Sequence, residues 1–455
     1  MRDPLIAIRN GEKLTLRDEI GLILKLSFPA ILAQISSIIM QYIDASMVGH
    51  LGANASASIG LVSSSTWLFA GIMTAASMGF SVKVAHKIGA KDDISARNIV
   101  KWGLAVTVIF GIVLSFICSI ISIFLPGWMG GDISIQKDAS RYFLVYALSM
   151  PFRELLMVSQ GMIQSSGNIR IPSILNVIMC GLDVIFNMIF IPRFGVLGAA
   201  LGTALAIVII SFIMLYILLV KSEKLSIIGR NDGQNAGLQD FIKTEVPDAL
   251  KIAIPVAIDN IIMGFAYVAF TRIVSPFGTT SIAANSFSIT AESLCYMPGF
   301  GIGVAATTIV GQCIGAGRRK TAKRLGWMAV LLGMSIMGLS GVLMWIFAPQ
   351  MIGLLSPDEE IRTLGTIVLR IEAFAEPFYG ASIVAAGVFR GAGETLLSSV
   401  LNLFSVWFVR IPLAAFLGSF WGLKGAWIAM ATELCVRGIL FLVRLLLWNE
   451  GKKNK

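Results

Sequence analysis

Long apolar runs recur from one end of the chain to the other, separated by short stretches rich in Gly, Pro, Lys and Arg. A helix needs ~20 mostly apolar residues to cross a bilayer. On that measure the pattern predicts twelve spans, near 20–48, 56–82, 98–125, 139–163, 172–192, 196–220, 247–275, 281–311, 325–348, 361–388, 397–418 and 422–448. Several exceed the minimum, which implies tilt or projection beyond the hydrocarbon. The longest polar stretch, Lys221–Glu245, falls almost at the middle of the chain. It predicts three parts: an amino-terminal six-helix lobe over 1–220, a cytoplasmic linker over 221–245, and a carboxy-terminal six-helix lobe over 246–455.

The halves repeat each other. At an offset of 226, Pro29 meets Pro255, Gly52 meets Gly278, Gly89-Ala90 meets Gly315-Ala316, Pro151 meets Pro377, and Asn176 meets Asn402. At 227, Gly195-Val-Leu-Gly-Ala meets Gly422-Leu-Lys-Gly-Ala. The matches are rich in Gly and Pro, the residues that set backbone bends and close helix contacts. Six spans per half leave both halves with the same orientation, so the repeat is parallel, about an axis along the membrane normal. Architectures of this kind place a binding site near the midplane and work by alternating access.

Composition agrees with an all-α integral membrane protein. The 455 residues are 56% hydrophobic and 14% charged, against about 25% charged in soluble domains, and mean hydropathy is +0.82. The net charge of +10 does not point to nucleic acid. Basic residues gather in the loops after even-numbered spans and at the termini, among them Lys13, Lys87, Arg97, Arg170, Lys221 and Arg318, whereas the opposite loops hold Lys137, Arg141, Arg193, Arg362 and Lys424. By the positive-inside rule both termini are cytoplasmic. The start of the chain lacks the short apolar core of a cleavable signal. The five cysteines (118, 180, 295, 313 and 435) lie in apolar surroundings and predict packing, not a disulfide or metal framework. Two histidines, His50 and His86, argue against a multi-histidine metal site.

The first span carries one acid among its apolar residues. Gln34, Ser37, Gln41 and Asp44 are spaced three, four and three apart, which places them on one helix face. A carboxylate in a span costs roughly 2.5–3.5 kcal/mol on insertion scales, so it faces a bundle interior or a wet cavity. Asp44 is therefore either a helix-packing acid bonded to a neighbour or an ion or proton site. Arg437, four residues after Glu433, reads as a local ion pair. Glu245 and Asp248, near the start of the seventh span, read as capping or solvating residues.

Pro29 followed by Asp44-Ala-Ser-Met-Val-Gly-His-Leu-Gly resembles the first helix of the multidrug and toxic compound extrusion (MATE) transporters. Val310-Gly-Gln-Cys-Ile-Gly-Ala-Gly and Phe389-Arg-Gly-Ala-Gly-Glu-Thr resemble the segments after their eighth and tenth helices. The resemblance covers essentially the whole chain. It implies two six-helix lobes forming a V, and a cation-coupled exporter of amphipathic, often cationic, compounds. Asp44 matches the family's acid on helix 1 that binds the coupling proton or sodium. On helix 5 the family has Asn and, four residues later, Asp; here the order is reversed, as Asp183 and Asn187. Thr203 matches a helix 6 hydroxyl near that site. The resemblance thus implies a coupling site of Asp44, Asp183, Asn187 and Thr203, with no cofactor and no metal other than sodium at Asp44 and Asp183.

The second half offers Asp259, Glu292, Glu372 and Glu376 as candidate acids. The repeat places Phe270 opposite Asp44 and Val409 opposite Asp183, so the lobes are chemically asymmetric and ion coupling is expected in the first. Glu292, Glu376 and Asp259, with Gln34 and Gln41, are candidates for lining a substrate cavity. The 20 Met and 27 Phe suit an adaptable pocket for amphipathic organic cations. The expected protein is a monomeric, multi-pass antiporter of the plasma (inner) membrane, with the lipid bilayer and small molecules as partners. A lipid-linked oligosaccharide flippase is the alternative, and would favour basic cavity residues for pyrophosphate. An enzyme lacks a metal or nucleophile constellation, since Gly299-Phe-Gly-Ile-Gly303 lies inside a span. A channel fits the duplicated, asymmetric acids less well than a carrier.

Overall fold

The computed structural model describes residues 4–10, 12, 15–49, 51–130, 132–228, 237–356 and 358–448. Residues 229–236 of the expected linker, His50 and the last residues of the chain lie outside them. Regular structure among the described residues is helical throughout. In the first half a short α1 (Pro4–Asn10) precedes α2 (Leu16–Gly49), α3 (Ala53–Gly89), α4 (Asp93–Ile121), a four-residue α5 (Leu125–Trp128), α6 (Ile133–Ser165), α7 (Arg170–Phe194) and α8 (Val196–Tyr216). The second half has α9 (Leu238–Val274), α10 (Thr279–Gly315), α11 (Arg319–Leu355), α12 (Glu359–Glu372), α13 (Glu376–Ala392), α14 (Thr395–Phe404), α15 (Ile411–Trp421) and α16 (Leu423–Leu446).

Among the described residues ten helices are long and apolar enough to cross a membrane. Two expected spans differ for reasons visible in the chain. The 33-residue α6 is long enough but carries Lys137, Asp138, Arg141, Arg153 and Glu154. The expected tenth span is broken between α12 and α13 at Ala373–Ala375, just before Pro377, which has no N–H to bond the Ala373 carbonyl one turn back. The eleventh span is continuous but passes through a π-helical stretch, Ser405–Arg410, between α14 and α15. Lost α-helical register of this kind concentrates at functional places.

The chain forms two compact units: an amino-terminal unit of Ser36–Ala257, and a carboxy-terminal unit of Met1–Ile35 with Ile258–Lys455. The division runs through the middles of α2 and α9, six residues past Pro29 and two past Pro255, so each of these helices contributes its leading half to one unit and its trailing half to the other. In the carboxy-terminal unit Gly301 of α10 lies against Ile31, where a Cβ would stand 2.6 Å from the Ile31 nitrogen. Arg324 of α11 pairs with the buried Glu19 at 2.5 Å. In the amino-terminal unit Gly79 of α3 lies against the Ala249 carbonyl, and Lys83 pairs with Glu245 at 2.5 Å and Asp248 at 3.1 Å. Glu245 and Asp248, expected only to cap or solvate their helix, instead fasten α9 to α3. Glu19 and Glu245 stand at the 226-residue offset of the repeat, so each half uses the same glutamate to anchor its first helix.

Small residues bring the helices close, as they must where no hydrophobic drive separates helix from lipid. A Cβ on Gly387 of α13 would collide with the Gly303 carbonyl of α10, and one on Gly391 would meet the Thr307 carbonyl at 2.5 Å. The amino-terminal core gathers Val100, Leu104, Val158, Met162, Ile207 and Ile210 from α4, α6 and α8.

Candidate functional site

The acid of α2 meets the reversed pair of α7. Asn187 Nδ2 donates to Asp44 Oδ1 at 2.8 Å and to Asp183 Oδ2 at 3.2 Å. The four-residue spacing stacks Asp183 and Asn187 on one face of α7, and one carboxamide then joins the two carboxyls. Asp183 and Asn187 are fully buried; Asp44 is half-buried. Asp183 Oδ1 and Asn187 Oδ1 are buried acceptors with no hydrogen-bond partner. These two unused oxygens, one of them the second oxygen of Asp183, lie beside the Asp44 carboxyl and form a donor set that fits a proton or a small cation. Thr203 of α8 donates its hydroxyl to the Ala199 carbonyl at 3.2 Å, which leaves its oxygen lone pairs for other donors.

Gly202, next to Thr203, is a residue the sequence reading did not single out. A Cβ there would collide with Asn187 Oδ1, so α8 must be bare at this point for the carboxamide to reach Asp44. Of the other α2 residues, Gln41 is exposed and Gln34 half-buried, and Gln34 belongs to the carboxy-terminal unit.

The carboxy-terminal unit holds its own acid–amide pair. Asn402 Nδ2 of α14 donates to Asp259 Oδ2 of α9 at 3.0 Å, and Asp259 Oδ1 is a buried acceptor without a partner. This pair lies 215 residues on from Asn187 and Asp44, eleven short of the repeat. Eleven residues are close to three helical turns, about 16 Å along the axis, and keep the same helix face. The repeat comparison paired Asp44 with Phe270 and so set Asp259 aside as a cavity-lining candidate. In the structure the same two helices of each half carry an acid–amide pair, at different depths.

The remaining acids stand apart from these pairs. Glu292 of α10 is buried. Glu372 and Glu376, flanking the α12–α13 break, are buried with no partner for any carboxylate oxygen. Glu433 of α16 was read as a local partner of Arg437, and that bond is present at 2.7 Å. It also accepts from Arg410 Nη2 at 2.6 Å and from Ser405 Oγ at 2.6 Å. Both partners come from the π-helical stretch, so this segment is held by a buried triad.

Glu154 of α6 also escaped the sequence reading. It is fully buried, neither carboxylate oxygen has a partner, and its Cβ sits where a Cβ on Gly111 of α4 would approach to 3.0 Å. An unsatisfied buried polar group costs about 1–3 kcal/mol. Glu154→Leu, similar in size and free of polar atoms, should therefore raise the thermal midpoint of the purified protein, read by a melting curve in detergent; a lowered midpoint would show that the carboxyl has a stabilising partner.

Buried titratable side chains inside the spans of a duplicated, multi-pass helical protein define a membrane transporter. The MatE family model matches the chain twice, over residues 29–189 and 255–416. The two matches begin 226 residues apart, which is the repeat offset. The chain belongs to the MatE family. It is 26% identical over 445 residues to a probable multidrug resistance protein NorM of Thermotoga maritima, covering 95% of this chain and 93% of that one. It is 21% identical to a probable multidrug resistance protein YoeA of Bacillus subtilis, with 90% of each chain covered. Its fold is similar to a crystal structure of MATE in the straight conformation, with TM-score 0.89, 21% identity and 98% of each chain covered.

Proposed function

We propose that this protein is a secondary active exporter of amphipathic, chiefly cationic, small molecules, driven by inward movement of protons or sodium. The observation that carries the reading is the single Asn187 carboxamide shared by Asp44 and Asp183, beside two unused buried oxygens. Two negative charges this close repel in a dry site. A proton or a sodium ion relieves the repulsion, and its departure restores it. The ion-bound and ion-free site thus favour different arrangements of the helices that carry it. Asn187 and Thr203 supply neutral oxygens. Pro29 and Pro255, close to the points where α2 and α9 pass between units, give these helices places to bend. Glu292, Glu376, Asp259, Gln34 and Gln41 are the side chains proposed to attract or orient substrate. The names of the relatives, multidrug resistance proteins, support small-molecule export.

The test is accumulation of a fluorescent cationic drug in cells with and without the protein, before and after an ionophore collapses the proton or sodium gradient. Lower accumulation that vanishes with one ionophore is expected and names the ion. Equal accumulation with and without the protein would overturn the reading.

The proposed placement is a multi-pass protein of the plasma (inner) membrane, working as a monomer, with both termini and the 221–245 linker in the cytoplasm. Single cysteines at Lys137 or Asp358 should react with a membrane-impermeant maleimide in intact cells, and one at Gly233 should react only after the cells are opened. Labelling at Gly233 in intact cells would invert the topology.

A further inference from the structure

We propose that Arg153 of α6 forms an oxyanion subsite in the amino-terminal unit, one that takes the carboxylate of a zwitterionic amphipathic substrate. Arg153 lies twenty residues from the start of α6 and twelve from its end, about 30 Å and 18 Å along the helix. A guanidinium at that depth is costly unless it meets an anion, a dipole or a wet surface. Its Nε donates to Ser149 Oγ at 3.2 Å, and its Cζ stands 4.7 Å from the centre of the Tyr146 ring. These contacts fix the stem and the plane of the guanidinium and leave both Nη groups for a ligand. No described carboxylate pairs with it. The neighbouring Glu154 does not serve, because it is turned about 100° around the helix and buried against Gly111.

The face that carries Arg153 is polar. Tyr142, Ser149, Arg153 and Gln160 are spaced seven, four and seven apart, and Tyr142, Arg153 and Gln160 are half-buried. The exposed Leu144 and Leu148 lie on the other side of α6. The same unit therefore presents a fixed cation on α6 and, on α2 and α7, a pair of carboxyls. That arrangement matches a ligand with an amine at one end and an oxyanion at the other. Arginine presents a planar fork of donors suited to a carboxylate, where lysine offers a point charge.

The inference rests on the exporter reading above, and the experiment separates the two. Tetramethylrhodamine is a zwitterion with a free carboxylate; its methyl ester is a cation of nearly the same shape. Binding of each dye to purified protein is followed by fluorescence anisotropy. Wild-type protein is expected to bind both. Arg153→Gln should weaken the carboxylate dye by about ten-fold or more, the scale of one lost charge-assisted contact, and leave the ester within about two-fold. Arg153→Lys should recover most of the loss. The ester reports whether the variant is folded. An equal loss for both dyes, or no loss for either, overturns the subsite and leaves the exporter reading standing. Wild-type protein that binds neither dye overturns both.

Discussion

Asp44→Asn is expected to reach the membrane at wild-type level and to lose ion-driven export. The substitution keeps the size of the side chain and removes the group that titrates. Asp44 Oδ1 is the acceptor of the 2.8 Å bond from Asn187, and an Asn at 44 retains an oxygen for that bond, so the fold should survive. What is lost is the second negative charge, and with it the repulsion that makes ion binding and release consequential. Asp183→Asn removes the other charge from the same carboxamide and should do nearly as much damage. The double variant should be little worse than either, because residues that act as one unit are not additive. Ion release on drug addition, measured in proteoliposomes for all three variants, decides the matter. Wild-type release from Asp183→Asn would leave Asp44 acting without it. Exchanging the pair, Asp183→Asn with Asn187→Asp, puts a carboxylate where the amide now faces Asp44 and keeps two acids in the unit, so partial transport is expected.

Much of this site was legible because an acid in an apolar run stands out and helical spacing says which residues share its face. Spacing singled out Asp44 and its helix face, and the resemblance to the MATE helices brought Asp183 and Asn187 to it. Neither could find Gly202, whose part is to lack a side chain opposite Asn187. Arg153 and Glu154 stayed hidden within the expected span 139–163, because only packing shows that one of these neighbours is half-open and the other sealed. The Asp259–Asn402 pair was hidden for a different reason. A repeat comparison tests residues at equal positions, and this pair recurs eleven residues out of step.

The fold divides in the same way. The helical class and the duplication follow from hydropathy and from Gly and Pro at a fixed offset, local features that a single chain displays. The passage of α2 and α9 from one unit to the other does not. It depends on long-range contacts, such as Gly301 against Ile31 and Lys83 with Glu245, and a boundary drawn at the polar stretch 221–245 has no means of anticipating them. The break before Pro377 was within reach of sequence rules, since a proline cannot donate to the turn behind it, yet the surrounding apolar run reads through it as one span.

Glu433→Leu is expected to be the most destabilising single substitution in the carboxy-terminal unit. Glu433 is fully buried and is the one carboxylate that Arg410 and Arg437 share, at 2.6 Å and 2.7 Å. Removing it leaves two guanidiniums with little access to water and no counter-charge. Breaking a buried ion pair from one side costs about 3–5 kcal/mol, most of it the desolvation of the partner left behind. Two partners are left here, and Arg410 lies in the π-helical stretch that joins α14 to α15, so the backbone around it loses its anchor as well. The expected result is a large fall in the thermal midpoint and in the amount of protein recovered from membranes. Glu433→Gln should fall between wild type and Glu433→Leu, since it keeps an acceptor for Ser405 Oγ. The triple change of Arg410, Glu433 and Arg437 to Met, Leu and Met removes every charge at once and should restore much of the lost stability, because a well-packed apolar replacement of a buried triad is often neutral or better. A midpoint for Glu433→Leu equal to wild type would show that water or another anion reaches the two arginines.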